Sequence, residues 1–195
     1  MEDLYLDAVW DKNPFKMYQI SEEIQLFFRM LADIKAIRML EIGVLFGGTT
    51  FLFSNALQEK GTLISIDIDL PDVYRQFLPR VASDKRVTIH LLKLDSHSPD
   101  TLQIVEAILK GEQLDAVFID GDHTYEGVKR DYEMYSPLVR SRGLIGFHDI
   151  VHHVGDKHCK VEKLWKEIKA TGAQVTDIIN SPKQGKCGIG VLFKK

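Results

Sequence analysis

The chain has 195 residues, 45% of them hydrophobic, with 25 basic against 28 acidic side chains and a net charge of −3. That suits one globular domain with a sizeable core. It disfavours nucleic-acid binding, which needs clustered Lys and Arg to neutralise phosphates. No apolar run approaches the ~18 residues of a bilayer span. The start, Met1-Glu2-Asp3, lacks the basic and apolar segments of a secretory signal. Cys159 and Cys187 alone make no disulfide framework. The expectation is a cytoplasmic protein with neither membrane nor nucleic-acid contacts.

Residues 1–35 read as an N-terminal helical extension of a single domain spanning 1–195. Its helix shows Ile24, Phe27, Phe28, Leu31 and Ile34 at helical spacing, with Ser21 as N-cap and Glu22-Glu23 near the positive end. Strands are predicted at Arg38 to Gly43, Thr62 to Asp67, Val87 to Leu92, Leu114 to Ile119 and Gly143 to Phe147. They are continuously apolar rather than alternating, which suits parallel strands covered on both faces. Between them, Ser98-Pro99-Asp100 opens a helix that stops at Lys110-Gly111, and Thr124 to Tyr135 forms another. Tyr125, Tyr132 and Tyr135 read as packing residues on that helix. Pro79 and Pro137 bend or end the helices that reach them. Val161, Leu164, Trp165 and Ile168 form a last apolar stripe, ended by Gly172. Ala173 to Ile179 and Ile189 to Lys194 read as strands. Asn180 to Gly188 is too short for a crossover helix, so these two pair antiparallel. The predicted fold is α/β: a mostly parallel sheet with helices on both faces, closed by an antiparallel hairpin.

The segment Glu41-Ile42-Gly43-Val44-Leu45-Phe46-Gly47-Gly48-Thr49-Thr50 joins a strand end to a helix start. Glycine there permits a tight turn and lets a ligand lie against bare backbone; a turn without a ligand is the alternative. The spacing is not Gly-x-Gly-x-x-Gly, which disfavours a dinucleotide. Asp67, ending the second strand, can accept hydrogen bonds from ribose hydroxyls, or be a loop or cap aspartate; Asp69 reads as loop or cap. Asp95 and Ser96 after the third strand could contact an adenine edge, or be ordinary cap chemistry.

The densest polar cluster is Asp120-Gly121-Asp122-His123, with His148-Asp149 at the next strand end. Asp120, His148 and Asp149 suit a divalent cation such as Mg²⁺ or Mn²⁺. Loop ordering or binding of a cofactor's ammonium group is the alternative. His123 is either a general base or a cap for the following helix. His152, His153, His158 and Cys159 match no zinc spacing and read as a loop over the site.

Glu41-x-Gly43-x-x-x-Gly47, Asp67 and Asp95 at successive strand ends resemble the class I S-adenosylmethionine-dependent methyltransferases. FKMYQISEEI, EIGVLFGGTT, FIDGDHTYEGVKRDYEMYSPLV and GLIGFHDI are similar to a bacterial group within it. That group includes cephalosporin-hydroxylase-like and rhamnosyl O-methyltransferase-like proteins. The resemblance runs from Phe15 to the C-terminus and implies a Rossmann-like, seven-stranded sheet with its last strand antiparallel.

It further implies that Gly43, Gly47 and Gly48, with Thr49, approach the methionine part of S-adenosylmethionine. Glu41 would sit near its ammonium, Asp67 at the ribose and Asp95-Ser96 at the adenine. Asp120 would serve cofactor, metal and catalysis together, with His123 as its catalytic partner. In metal-dependent relatives, acidic or amide residues near Asp149 bind Mg²⁺; His148 and Ile150 depart from that pattern. The implied reaction is methyl transfer to an oxygen of a small acceptor, open among sugars, polyketides, phenols and modified antibiotics. A non-catalytic cofactor-binding module and an NAD-dependent oxidoreductase are the competing classes. The N-terminal helix could cover the pocket or make a homodimer contact.

Overall fold

The computed structural model describes residues 15–71 and 87–195, so Pro79 and residues 1–14 of the extension lie outside it. Among the described residues the strands are β1 (Arg38–Ile42), β2 (Thr62–Asp67), β3 (Thr88–Lys93), β4 (Leu114–Ile119), β5 (Val139–His148), β6 (Val175–Ile178) and β7 (Ile189–Phe193). The α-helices are α1 (Ser21–Asp33), α2 (Gly48–Ala56), α3 (Pro99–Leu109), α4 (Tyr125–Tyr135) and α5 (Val161–Ala170). None is long and apolar enough to cross a membrane.

The strands form one seven-stranded sheet in the order β3-β2-β1-β4-β5-β7-β6. β1 to β5 are mutually parallel, and β7 runs antiparallel between β5 and β6. Alternate side chains of the apolar strands face opposite layers. Met39, Leu63, Ala116, Phe118 and Leu144 pack with α1 and α2 on one face. Leu40, Ile64, Val117, Ile145 and Leu192 pack with α3, α4 and α5 on the other. Sequence order turns outward in both directions from between β1 and β4, so a crevice opens at their carboxyl ends.

Three local expectations differ. The N-cap of α1 is Ile20, with Ser21 already helical. Thr124, not His123, caps α4, its hydroxyl accepting from Gly127 N at 3.0 Å. β5 begins four residues before Gly143, where the register shifts between Leu114 and Ala116. Asp115 stabilises that irregular end by accepting from Ile37 N, Arg38 N and Arg140 Nε, at 2.6–2.8 Å.

Glu23 of α1 is 1% exposed. Its carboxylate accepts from Asn180 N, Gln184 Nε2 and Gly188 N at 2.7–2.9 Å, tying the helix to the β6–β7 loop. A buried donor left unpaired costs about 1–3 kcal/mol. Glu23→Ala should therefore destabilise the protein by at least about 2 kcal/mol. In urea denaturation its midpoint should fall with the slope unchanged; an unchanged midpoint would remove this tie from the account.

Candidate active site

A cavity of about 730 Å³ runs along the carboxyl ends of β1, β2, β3, β4 and β5. Its wall includes Gly43 to Phe46, Gly48, Thr49, Asp67, Asp95, Ser96, Asp120, His123, His148 and Asp149, so a single space gathers all but two of the expected site residues. The two left out of the wall are Glu41 and Gly47.

Glu41 is fully buried beneath the cavity, where its carboxylate accepts from the hydroxyls of Thr49, Thr50 and Ser65 at 2.5–2.6 Å. All three bonds anchor the start of α2 and the middle of β2, so Glu41 braces the glycine turn from below. Burial pushes its pKa up to about 7, against the lowering effect of the three hydroxyls. Gly47 is the N-cap of α2.

The room left by two glycines is taken by the protein itself. Gly43 has φ +92°, and a Cβ there would stand 2.1 Å from the carbonyl oxygen of Asp120. A Cβ on Gly48 would stand 2.0 Å from Cγ of Met17. The second contact seats Lys16 to Gln19, within the FKMYQISEEI segment, along the cavity wall.

Asp67 accepts from Val44 N and Leu45 N with Oδ2, at 2.8 and 2.9 Å, and from Asp69 N with Oδ1. It thus fixes the glycine turn while lining the cavity. Asp95 Oδ1 accepts from His97 N at 2.8 Å, and the Ser96 carbonyl accepts from the buried Tyr135 hydroxyl at 2.6 Å.

Asp120, His123, His148 and Asp149 form one polar network. Asp120 Oδ1 meets His148 Nδ1 at 2.9 Å and His123 Nε2 at 3.1 Å. Its Oδ2 accepts from Gln19 Nε2 at 2.7 Å. His123 Nδ1 lies 3.1 Å from Asp149 Oδ2. Burial alone would raise the Asp120 carboxyl, but the charge and hydrogen bonds of His148 and His123 outweigh it and hold it well below the usual range. The bond to Asp120, then a contact with the Cys159 thiol, push His123 up to about 10 against burial. Burial likewise opposes protonation of His148, yet Asp120, the Cys187 thiol and Asp149 hold it well above its ordinary value. Both His123 nitrogens thus face carboxylate oxygens, which favours the protonated ring over the free lone pair that the expected general base needs.

Mg²⁺ and Mn²⁺ prefer octahedral oxygen ligands. Here Asp120 is committed to two imidazoles and an amide, and the remaining donors include imidazole and thiol. That set does not fit the hard cation expected at Asp120, His148 and Asp149. Gln19, Cys187 and His153 also line the cavity; His153 belongs to the segment that reads as a loop over the site, while neither Gln19 nor Cys187 stands out in the sequence as a site residue.

The fully buried Glu41 titrates between its ordinary 4.5 and about 7 in the fold. Across that window the folded state keeps a proton that the unfolded state has released, so stability falls as pH rises. At 1.36 kcal/mol per pKa unit the loss reaches about 3 kcal/mol. Glu41→Gln cannot titrate and should gain about that much on wild type between pH 4.5 and 7.5. Urea titrations at both pH values check this, and an equal gap at both would contradict it.

A family model described as "Methyltransferase domain" matches residues 40–150. A "Probable caffeoyl-CoA O-methyltransferase 1" of Dictyostelium discoideum is 26% identical over 156 residues, covering 76% of this chain and 64% of that protein. "Caffeoyl-CoA O-methyltransferase 1" of Zea mays is 29% identical over 147 residues, covering 73% of this chain and 54% of that protein. The chain thus spans less than two thirds of the length of these relatives. An O-methyltransferase from Bacillus cereus, solved with S-adenosylhomocysteine, superposes with a TM-score of 0.69 at 21% identity, covering 98% of this chain and 91% of that one. At that identity the likeness shows the fold.

Proposed function

The chain belongs to the methyltransferase-domain family, and on that premise we propose that it transfers the methyl group of S-adenosylmethionine to an oxygen of a small acceptor. The observation carrying this reading is the one cavity that joins the glycine turn, Asp67 and Asp95-Ser96 to the Asp120–His148 network. The first group has the parts to hold a nucleoside with a charged tail. The second faces the place an acceptor would take. The O-methyltransferase names of the curated relatives support oxygen as the nucleophile.

In the proposed arrangement Asp67 accepts from the ribose hydroxyls, and the backbone of Val44 and Leu45, which it already grips, closes over the same sugar. The Asp95–Ser96 turn, fixed by Tyr135, flanks the adenine. The Gly43–Gly48 turn and the first N–H groups of α2 border the methionine portion. The acceptor hydroxyl releases its proton to solvent in the cavity mouth as its oxygen attacks the sulfonium methyl carbon in line; the carbon–sulfur bond breaks and S-adenosylhomocysteine leaves. Alignment of donor and acceptor supplies much of the rate. The protonated His123, 36% exposed in its side chain, would stabilise the acceptor as an oxyanion, a charge effect rather than proton abstraction.

Isothermal titration should show binding of S-adenosylhomocysteine and none of NAD. Asp67→Asn should weaken it about 10–100-fold, the value of one or two hydrogen bonds to a charged group. Unchanged affinity would overturn the ribose assignment. Labelled S-adenosylmethionine offered with phenols, catechols and sugars should pass its methyl to one of them. Tight cofactor binding with no acceptor methylated would instead favour a non-catalytic module.

A further inference from the structure

We propose that His148, Asp149 and Cys187 form a binding site for a thiophilic divalent cation of the Zn²⁺ class, with one coordination position open to the cavity. The site stands on its own donors; only the role of its open position rests on the methyl-transfer reading.

The three residues each offer a ligand atom, and those atoms lie within 4.8 Å of one another. All three side chains are buried, and all three line the cavity. His148 is oriented as a metal ligand is. Its Nδ1 is held by Asp120 at 2.9 Å, while Nε2 is buried with no hydrogen-bond partner. A metal-ligating imidazole commonly donates its other N–H to a carboxylate, which fixes the tautomer and aims the free nitrogen. The thiol beside that ring is Cys187, and a bound cation would displace the Nε2 proton of the ring and the thiol proton to solvent. Its own backbone N–H donates to Asp149 Oδ1 at 2.9 Å, so the loop carrying the thiol is bound to the second ligand.

One nitrogen, one carboxylate oxygen and one sulfur select Zn²⁺, Co²⁺ or Fe²⁺ over Mg²⁺. Ligands at ~2.0–2.3 Å from a common ion stand about 3.3–3.8 Å apart in a tetrahedron, so side-chain shifts of about 1 Å close the site. Three protein ligands with a fourth position open is the form that zinc takes where it meets a substrate. That position faces the side of the cavity assigned above to the acceptor, where a bound oxygen would be polarised. A second triad, His123, Asp149 and Cys159, shares the same carboxylate. It is the weaker candidate because both His123 nitrogens already face carboxylates and Cys159 does not line the cavity.

Full-length protein stripped with chelator and titrated with Co²⁺ should bind one equivalent. It should develop tetrahedral visible bands and a near-ultraviolet thiolate-to-cobalt charge-transfer band, both displaced by Zn²⁺. Cys187→Ser should abolish the charge-transfer band and weaken Zn²⁺ at least about 100-fold; Cys159→Ser should leave both unchanged. A zinc-edge X-ray absorption spectrum of the unmutated protein should show one sulfur at about 2.3 Å, a readout that does not depend on how the variants fold. The absence of that sulfur, of the charge-transfer band, or its loss in Cys159→Ser instead of Cys187→Ser would overturn the proposal.

Discussion

At the carboxyl end of β1, the backbone of Gly43 lies against the carbonyl of Asp120 so closely that no side chain could stand between them. The pairing of β1 with β4 continues one residue past β4, Asp120 N donating to Ile42 O at 2.8 Å, and the pairing of β1 with β2 continues one residue past β1, Gly43 N donating to Ile66 O at 2.9 Å. This fixes the Asp120 backbone where the strand order turns outward, and its carboxylate follows. From that one carboxylate hang His148 of β5, His123 before α4 and Gln19 of the N-terminal segment. The cavity thus takes its shape from a single close approach, and a larger residue at position 43 would disturb every wall at once.

The same region holds a second buried carboxylate whose chemistry is opposite. Asp120 and Glu41 are both withdrawn from water, which by itself favours the neutral acid. Asp120 faces two imidazoles and stays ionised, while Glu41 faces only hydroxyls and the like charge of Asp120 and shares a proton near neutrality. Environments that drive paired acids apart commonly separate roles in a site. Here they separate the residue that organises charge at the cavity from the one that braces the turn beneath it. The cluster of Asp120, Asp149, His123 and His148 is near neutral as a whole, two carboxylates balanced by two imidazolium rings. A divalent cation that displaces one proton from His148 and one from the Cys187 thiol leaves that balance unchanged.

Much of this architecture was legible in the sequence because it is local. Continuous apolar runs mark strands covered on both faces, and the structure keeps β2 and β4 at the limits those runs suggest. Ser98-Pro99 capped α3 as its chemistry requires, the Ser98 hydroxyl accepting from Asp100 N. The short Asn180–Gly188 link implied the antiparallel pairing of β6 and β7. What escaped depends on distant neighbours. Val139 to Arg142 are too polar to read as strand, and they join β5 only through a bulge held by Asp115. Glu41 reads as a ligand residue from its position relative to the glycines, while the three hydroxyls it accepts from, two on α2 and one on β2, leave no mark in the sequence. Cys187 spoke of redox compartment alone and Cys159 also of a loop over the site, since nothing in their spacing tells that each ends beside a histidine.

The cavity is therefore made of two kinds of wall. The half suited to the nucleoside is built from strand ends and the turns directly following them, with partners a few residues away or on the next strand. The half facing the acceptor is assembled across the chain. Gln19 reaches Asp120 over 101 positions, and Glu23 reaches Gly188 over 165. Segments held by a few polar bonds open at lower free energy than strands held by a ladder and a core. Entry and exit of an acceptor would then occur by parting the Lys16–Gln19 segment from the β6–β7 loop while the sheet and its glycine turn stay closed. Because Glu23 binds both the hairpin loop and, through α1, the segment before it, the two lips of this opening are mechanically joined. On the proposed reading an acceptor would have to satisfy both together, which would place selectivity in the long-range half of the cavity and cofactor recognition in the local half.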